Sequence, residues 1–314
     1  MPIDKKQVAA LAQDDPWLSS LLAFAESHDE IRAAVMNGSR ANPNAPRDRW
    51  QDYDINIAEQ TPDYFHEHPE VLLTFGEHII MQHTHGFETP TGWQDATEEE
   101  YQQYRAAGTL PGIHHYHFMI IYGDGVRVDF SFVPADRAAE TYTDSMTIPL
   151  VDKDGLIPLL PPASDAGYLV QKPTPARFAE VRNELFWLTT YVAKGLLRGE
   201  IVYAQSLMGL LREQLVELLS WSIGERTGWN VNPGFRGKWL QQFLTPDEWQ
   251  QLLATYASAD IGAQWCALFA ATKLARRVGV PLAGALGEEY IYDFAEDERT
   301  VEYLHGLHGQ ETAA

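Results

Sequence analysis

The sequence predicts an α+β protein built from two domains. Short stretches in which apolar and polar residues alternate, typical of half-buried strands, occur in the first half of the chain together with helical segments. Beyond a proline-rich stretch between Pro158 and Pro175, apolar residues instead recur every three or four positions, as in amphipathic helices. We therefore expect an α/β domain over residues 1–165 and an α-helical bundle over residues 166–314.

In the first half, Asp15 followed by Pro16 predicts a helix start, with Asp15 as the N-cap. Residues 31–36 predict a strand that ends at Asn37-Gly38. Polar and apolar residues alternate over positions 52–57, which indicates a second strand. Its polar face carries Asp52, Asp54 and Asn56, and its apolar face carries Tyr53, Ile55 and Ile57.

Residues 116–122 and 126–133 flank Gly123-Asp124-Gly125, which predicts a β-hairpin. In its second strand the apolar side chains share one face and the polar side chains share the other. The polar set is Arg127, Asp129 and Ser131.

Three runs with helical spacing follow, centred on residues 178–196, 207–221 and 265–274, and they predict the helices of a bundle. Cys266 is the one cysteine, so an intrachain disulfide and a zinc–cysteine cluster are excluded. Because it lies in an apolar helical run, we expect it in the core.

The composition is strongly acidic, with 44 acidic and 23 basic residues and a net charge of −21. Such a field repels nucleic acid and attracts cations, although acidity is commonly a matter of solubility alone. No apolar run is long enough for a transmembrane helix, and the N-terminus lacks the apolar stretch of a signal peptide. We expect a cytoplasmic protein, a monomer or weak homo-oligomer, that binds neither membrane nor nucleic acid.

The most informative motif is Gly38-Ser39-Arg40 followed by Asp52-Tyr53-Asp54. Glycine allows a phosphate to approach the backbone, the Ser39 hydroxyl can donate to phosphate oxygens, and Arg40 can add charge. Asp52 and Asp54 project from one strand face, and Asp129 joins them if the two strands are neighbours. Three carboxylates with triphosphate oxygens suit Mg²⁺, which predicts nucleotidyl transfer.

The first helix of the second domain carries Glu184, Tyr191 and Lys194. Glu184 and Lys194 are about 15 Å apart along the axis and offset by about 80°, so both can face one cleft. Glu184 can take a proton from a substrate hydroxyl and Lys194 can hold a phosphate. A solvated helix face is the alternative interpretation.

Six histidines fall between residues 78 and 117. His83 with His85, and His115 with His117, have the spacing of strand-borne zinc pairs. Because no ligand spacing of a known class emerges, we interpret them as ordinary strand and surface histidines.

Several linked motifs carry a family resemblance. They are NGSRANPNAP at 37–46 with DYDI at 52–55, FGEHIIMQ at 75–82, DGVRVD at 124–129, NELFW at 183–187 and YVAKGLLRGE at 191–200. Over residues 15–295 the sequence resembles the aminoglycoside 6-adenylyltransferases, also called streptomycin adenylyltransferases. The segment from about 87 to 112 is longer than the usual link in that family.

The resemblance implies a polymerase-β-like nucleotidyltransferase domain with a mixed sheet, followed by the helical domain, with the site between them. It implies transfer of AMP from Mg·ATP to a hydroxyl of an aminoglycoside, a small cationic substrate. Gly38 and Ser39 match the triphosphate turn, and Asp52, Asp54 and Asp129 match the metal ligands. On chemical grounds Glu184 and Asp129 compete as base, Arg40 and Lys194 contact the nucleotide, and Glu184 and Tyr191 contact the substrate.

Two alternatives remain at this point. A nucleotidyltransferase can keep the same catalytic set and act on a different small molecule or on a protein hydroxyl. A catalytically silent nucleotide-binding module is the second alternative, and the intact carboxylates argue against it.

Overall fold

The computed structural model describes residues 5–311, which form two compact units divided between Gly167 and Tyr168. The first unit combines helices with strands. Its elements are α1 (Lys5–Ala12), α2 (Pro16–Ser27), β1 (Ile31–Asn37), α3 (Gly38–Ala41), β2 (Tyr53–Glu59), α4 (Tyr64–Glu67), β3 (His78–Thr89), β4 (Gly92–Ala96), α5 (Glu98–Ala107), β5 (Ile113–Tyr122), β6 (Arg127–Pro134), α6 (Ala138–Thr141) and β7 (Ile148–Asp152).

Within the described residues, seven strands form one mixed sheet in the order β4-β3-β5-β6-β2-β1-β7. The pair β2–β6 is parallel, and the remaining neighbours in that sheet are antiparallel. The predicted hairpin is confirmed as β5–β6, joined by the glycine-rich turn. The parallel pair lies near the middle of the sheet, with β1 and β7 beyond it.

One face of this sheet is covered by helices. Tyr53, Ile55 and Ile57 of β2 are buried in one cluster with Phe130 and Phe132 of β6 and with apolar residues of α1, α2 and α4. Because side chains alternate along a strand, the residues between them lie on the opposite face. The apolar alternation therefore fixes which face carries the polar residues of β2 and β6.

The second unit is helical: α7 (Pro175–Leu197), α8 (Ile201–Arg226), α9 (Pro246–Leu253), α10 (Ile261–Leu286) and α11 (Phe294–Glu311). Side-chain caps begin two of the long helices, with Thr174 before α7 and Asp260 before α10. A single apolar cluster joins the helices through fully buried residues such as Leu185, Leu215 and Leu268.

The predicted α+β class is confirmed, with a mixed sheet in the first unit and helices in the second. The interpretation of Cys266 as a core residue is wrong, because its side chain is exposed. It shares a face of α10 with Lys273 and Arg277, whereas the neighbouring Trp265 and Leu268 turn inward. Across residues 5–311 no helix combines the length and the apolar composition needed to cross a bilayer.

Candidate active site

The candidate site centres on two aspartates of the parallel pair. Asp54 of β2 is the register partner of Asp129 of β6, on the sheet face opposite α1, α2 and α4. Parallel strands hold such partners side by side, so the two carboxylates leave the sheet together. Asp52 comes directly before β2, two residues from Asp54, and by strand alternation it falls on the same face. The expected convergence of Asp54 and Asp129 follows directly from this ladder.

Gly38 lies against Asp54. β1 ends at Asn37, which pairs with Asp54 across the antiparallel β1–β2 ladder, and the chain then turns into α3. Gly38 has φ +69°, a conformation that L side chains rarely adopt, and a Cβ placed there would be 2.0 Å from Asp54 Oδ2. Two features therefore require glycine at position 38: the left-handed backbone of the turn, and the side chain of Asp54, which leaves no room for a Cβ.

Arg127 was not among the predicted site residues, yet it joins two of the aspartates. Its Nε and Nη2 donate to Oδ1 and Oδ2 of Asp129, each at 2.7 Å. Its Nη1 lies 3.7 Å from Asp52 Oδ2. The hydrogen bond with Asp129 raises the pKa of Arg127, so the guanidinium stays charged. The signal in the sequence was the shared strand face of Arg127 and Asp129.

A row of polar side chains continues along the same face. Asn56 Nδ2 donates to Asn37 Oδ1 at 3.0 Å, and Asn56 is the register partner of Ser131. Ser131 Oγ lies 2.7 Å from His117 Nδ1. Burial lowers the pKa of His117 to about 4 against the opposing charge of Asp129. The imidazole is therefore neutral at pH 7 and adds no positive charge to the site.

Arg40 and Ser39 have different surroundings. Nε and Nη2 of Arg40 donate to the Gln51 carbonyl, and Nη1 donates to Asp15 at 3.0 Å. Its guanidinium also stacks over the Tyr53 ring at 3.6 Å. These contacts tie the turn to the start of α2 and β2. The Ser39 carbonyl accepts from Gln51 Nε2 at 3.3 Å. A phosphate-binding role for Arg40 and Ser39 stays a prediction.

The donor set suits Mg²⁺. The ligand atoms offered by Asp52, Asp54 and Asp129 are carboxylate oxygens, the donors that this ion prefers. A side chain at position 38 would fill the space beside Asp54, and glycine keeps that space clear. Arg127 donates to both oxygens of Asp129, so a metal ion could bind that aspartate only by displacing the guanidinium.

In the second unit, the predicted residues share one exposed stripe of α7. Glu184, Trp187, Tyr191 and Lys194 are all exposed and fall within an arc of about 80° on the helix surface. Trp187 packs edge-on against Tyr191, with ring centroids 6.1 Å apart. Trp187 was not predicted, and its exposed fraction of 56% is unusual for a tryptophan. The stripe combines an acid, a base and two aromatic rings.

Comparisons with known proteins identify the family of the chain. A family model described as streptomycin adenylyltransferase matches residues 13–307. A relative called aminoglycoside 6-adenylyltransferase from Bacillus subtilis (strain 168) is 28% identical over 303 residues, covering 95% of this chain and 99% of the relative. A relative of the same name from Campylobacter jejuni is 30% identical over 277 residues, covering 87% and 89%.

A solved structure is also similar, the crystal structure of an aminoglycoside 6-adenyltransferase from Bacillus subtilis. It is 24% identical, covers 92% of this chain and 95% of its own, and gives a TM-score of 0.44.

The family match and the two named relatives identify the chain as an adenylyltransferase enzyme. It belongs to the streptomycin adenylyltransferase family, and the family resemblance of the sequence motifs is confirmed.

Proposed function

We propose that the protein transfers AMP from Mg·ATP to a hydroxyl of an aminoglycoside, the 6-hydroxyl of streptomycin, releases pyrophosphate and so inactivates the antibiotic. The observation that carries this proposal is the register pairing of Asp54 with Asp129 beside the turn at Gly38. The names of the two relatives support the acceptor class.

In this proposal Asp52, Asp54 and Asp129 hold Mg²⁺. The bound ion supplies positive charge for the triphosphate and for the departing pyrophosphate. Gly38 leaves room for phosphate next to Asp54, and the Ser39 hydroxyl donates to a phosphate oxygen. Arg40 and Lys194 supply further positive charge for the nucleotide.

The reaction forms a bond between the acceptor oxygen and the α-phosphorus and breaks the bond from that phosphorus to the bridging oxygen. The hydroxyl proton goes to a carboxylate, either Glu184 or Asp129. Both oxygens of Asp129 already accept from Arg127, whereas Glu184 is exposed on the α7 stripe. We therefore assign the base to Glu184, with Tyr191 contacting the substrate.

The acceptor carries several positive charges and the enzyme carries a net charge of −21. A field of this sign raises the local concentration of a polycationic substrate. It also makes the rate of productive encounter fall as salt is added, because screening shortens the reach of the field.

Mass spectrometry of streptomycin after incubation with the enzyme and Mg·ATP tests the proposal. We expect the drug to gain one AMP unit and pyrophosphate to be released in equal amount. A panel of other aminoglycosides, with isotopically labelled ATP, then defines the acceptor. Label in the protein, or no transfer to any aminoglycoside, would contradict the proposed substrate class.

A further inference from the structure

A second cluster of ligand-type side chains lies on the opposite face of the same sheet. His83 and His85 of β3 are the register partners of Phe118 and Tyr116, whose side chains belong to the apolar core beneath the helices. His66 of α4 and Glu98, at the start of α5, join them there. One ligand atom from each of the four residues lies within 4.8 Å of every other.

The ring nitrogens of this cluster lack ordinary partners. Nδ1 of His66, Nε2 of His83 and Nε2 of His85 are buried, and within the described residues none of them has a hydrogen-bond partner. The side chain of His85 is only 3% exposed. A buried nitrogen left without a partner is costly unless something binds it. Each of the three imidazoles of the cluster therefore has a buried nitrogen that is able to bind a metal ion.

Contacts with Glu98 agree with this. His85 Nε2 lies 2.6 Å from Glu98 Oε2, and His66 Nε2 lies 3.5 Å from Glu98 Oε1.

A chain of hydrogen bonds orients His85. Its Nδ1 lies 3.1 Å from His114 Nε2, and His114 Nδ1 lies 3.2 Å from Asp63 Oδ1. The carboxylate of Asp63 only accepts, so His114 donates from Nδ1. With Nδ1 of His85 engaged by His114, Nε2 is the ring nitrogen of His85 that faces Glu98 and the cluster. Metal-binding histidines are held by carboxylates in the same way.

Glu98 is positioned by its helix. A capping box between Thr97 and Glu100 fixes the start of α5, which places Glu98 at the first helical position. Gln102 Nε2 donates to Glu98 Oε1 at 2.9 Å, one turn further along. The carboxylate side chain is 48% exposed, so the cluster has an open side through which an ion can enter.

We propose that His66, His83, His85 and Glu98 form a structural Zn²⁺ site. Three imidazoles and one carboxylate, supplied by three elements, make a closed four-ligand set that suits zinc better than Mg²⁺ or Ca²⁺. Tetrahedral zinc, about 2.0–2.1 Å from each ligand, needs neighbouring ligand atoms about 3.4 Å apart. The present ligand atoms lie within 4.8 Å of one another, with His85 Nε2 and Glu98 Oε2 at 2.6 Å, so small shifts in both directions give that spacing.

The position of the site gives it a mechanical role. It fastens the start of α5, within the long segment 87–112, to β3 and to α4. The aspartates of the candidate active site lie on the other face of the sheet, so zinc here stabilises the first unit and takes no part in AMP transfer. The two proposals therefore stand or fall separately.

Zinc binding to the untagged full-length protein tests the site. The protein is stripped with EDTA and titrated with ZnCl₂ by calorimetry, in the wild type and in an Asp54→Asn background that weakens zinc binding at the aspartates. We expect one zinc per chain in that background, with X-ray absorption showing nitrogen and oxygen ligands only. His83→Gln and Glu98→Gln should each weaken the affinity at least 100-fold.

Two variants serve as matched controls. His68→Gln removes an exposed histidine that lies 3.5 Å from Glu70, and His115→Gln removes a β5 histidine that lies 3.3 Å from Glu88. Both should bind zinc like the parent. Zinc should also raise the Tm of the parent and not that of Glu98→Gln, a change at a half-exposed side chain that the fold tolerates. No stoichiometric binding, or binding unchanged by His83→Gln and Glu98→Gln, would overturn the assignment.

Discussion

The guanidinium of Arg127 donates to both carboxylate oxygens of Asp129 and also approaches Asp52. The guanidinium of Arg127 thus binds the carboxylate of Asp129, which is a proposed ligand of the catalytic metal. Under the proposed function, metal binding at this site would exchange one positive charge for another, and the apparent affinity for Mg²⁺ would include the cost of displacing Arg127.

Arg127→Gln should lower the Mg²⁺ concentration that gives half-maximal activity, because Asp129 no longer has to release a guanidinium. The measurement is initial rate against Mg²⁺ at fixed ATP. Arg137→Gln is the matched control, since Arg137 makes a similar two-point contact with Glu140 outside the site. An unchanged or higher Mg²⁺ requirement in Arg127→Gln would show that Arg127 does not compete with the ion.

Asp54→Asn should reduce kcat/KM by roughly 10²-fold or more, because metal-borne charge stabilisation is worth several kcal/mol. Steady-state kinetics with streptomycin and Mg·ATP measure this, with circular dichroism to confirm the fold. Asp136→Asn, at an exposed position in the same unit, should leave the rate unchanged. Turnover of Asp54→Asn close to that of the parent would remove this residue from the metal site.

Gly38→Ala should impair both stability and turnover, because its Cβ meets Asp54 Oδ2 and its backbone is left-handed. Left-handed strain alone costs on the order of 1–3 kcal/mol. Gly125→Ala is a sharp control: Gly125 has φ +86°, and a Cβ there meets nothing within 4 Å. Urea unfolding should show a loss in both variants, and a large loss of kcat should appear in Gly38→Ala alone.

Glu184→Gln should lower kcat by roughly 10² to 10⁴ if this residue is the base. The control is Glu180→Gln, on the same helix one turn earlier, where the glutamate pairs with Arg177. Comparison of kcat with KM separates proton transfer from binding of the cationic substrate. A fall of less than tenfold would move the role of base to Asp129.

Glu59 should make the stability depend on pH. Burial raises its pKa to about 7, against hydrogen bonds from Tyr116 and from the amide of Asp63. A raised pKa favours the protonated carboxyl in the folded state. Its contribution is therefore complete below the ordinary pKa of glutamate, about 4.3, and is lost as the pH rises through 7.

Glu59→Gln should flatten this dependence. Urea unfolding at pH 5 and pH 8 should show a wild-type loss of roughly 2–3 kcal/mol attributable to Glu59 and a smaller loss in the variant. Glu26→Gln, an exposed change on α2, should keep the wild-type slope. An equal slope in Glu59→Gln would assign the pH dependence to other groups.

Much of the fold was predictable because its central strands are half-buried. The alternation in Tyr53–Glu59 and Arg127–Pro134 shows which residues share a face, and the helical runs show the second unit. Strand order was not visible, since alternation is a local signal and the pairing of β2 with β6 joins distant parts of the chain. From the sequence, Asp54 and Asp129 could be placed together only on the assumption that their strands are neighbours. The structure shows that the strands do pair.

Contacts made by charged side chains were harder to predict. The sequence places Arg127 on the face of Asp129 but does not reveal that it holds both oxygens. The four ligands of the proposed zinc site lie on α4, β3 and α5, with His66 in a helix of four residues. No spacing rule connects such positions, because only the packing of α4 and α5 on the sheet brings them together.

The ladder between β2 and β6 runs without interruption from the Tyr53–Val128 pair to the Glu59–Pro134 pair. A slip of one residue would turn Asp129 into the core and bring Val128 or Phe130 beside Asp54. Because register changes in whole residues, a slipped ladder separates Asp129 from Asp54 completely and does not merely weaken their pairing. Damage to this ladder should therefore appear as fewer active molecules, each turning over at the full rate, and titration of active sites would distinguish it from a weakened catalyst.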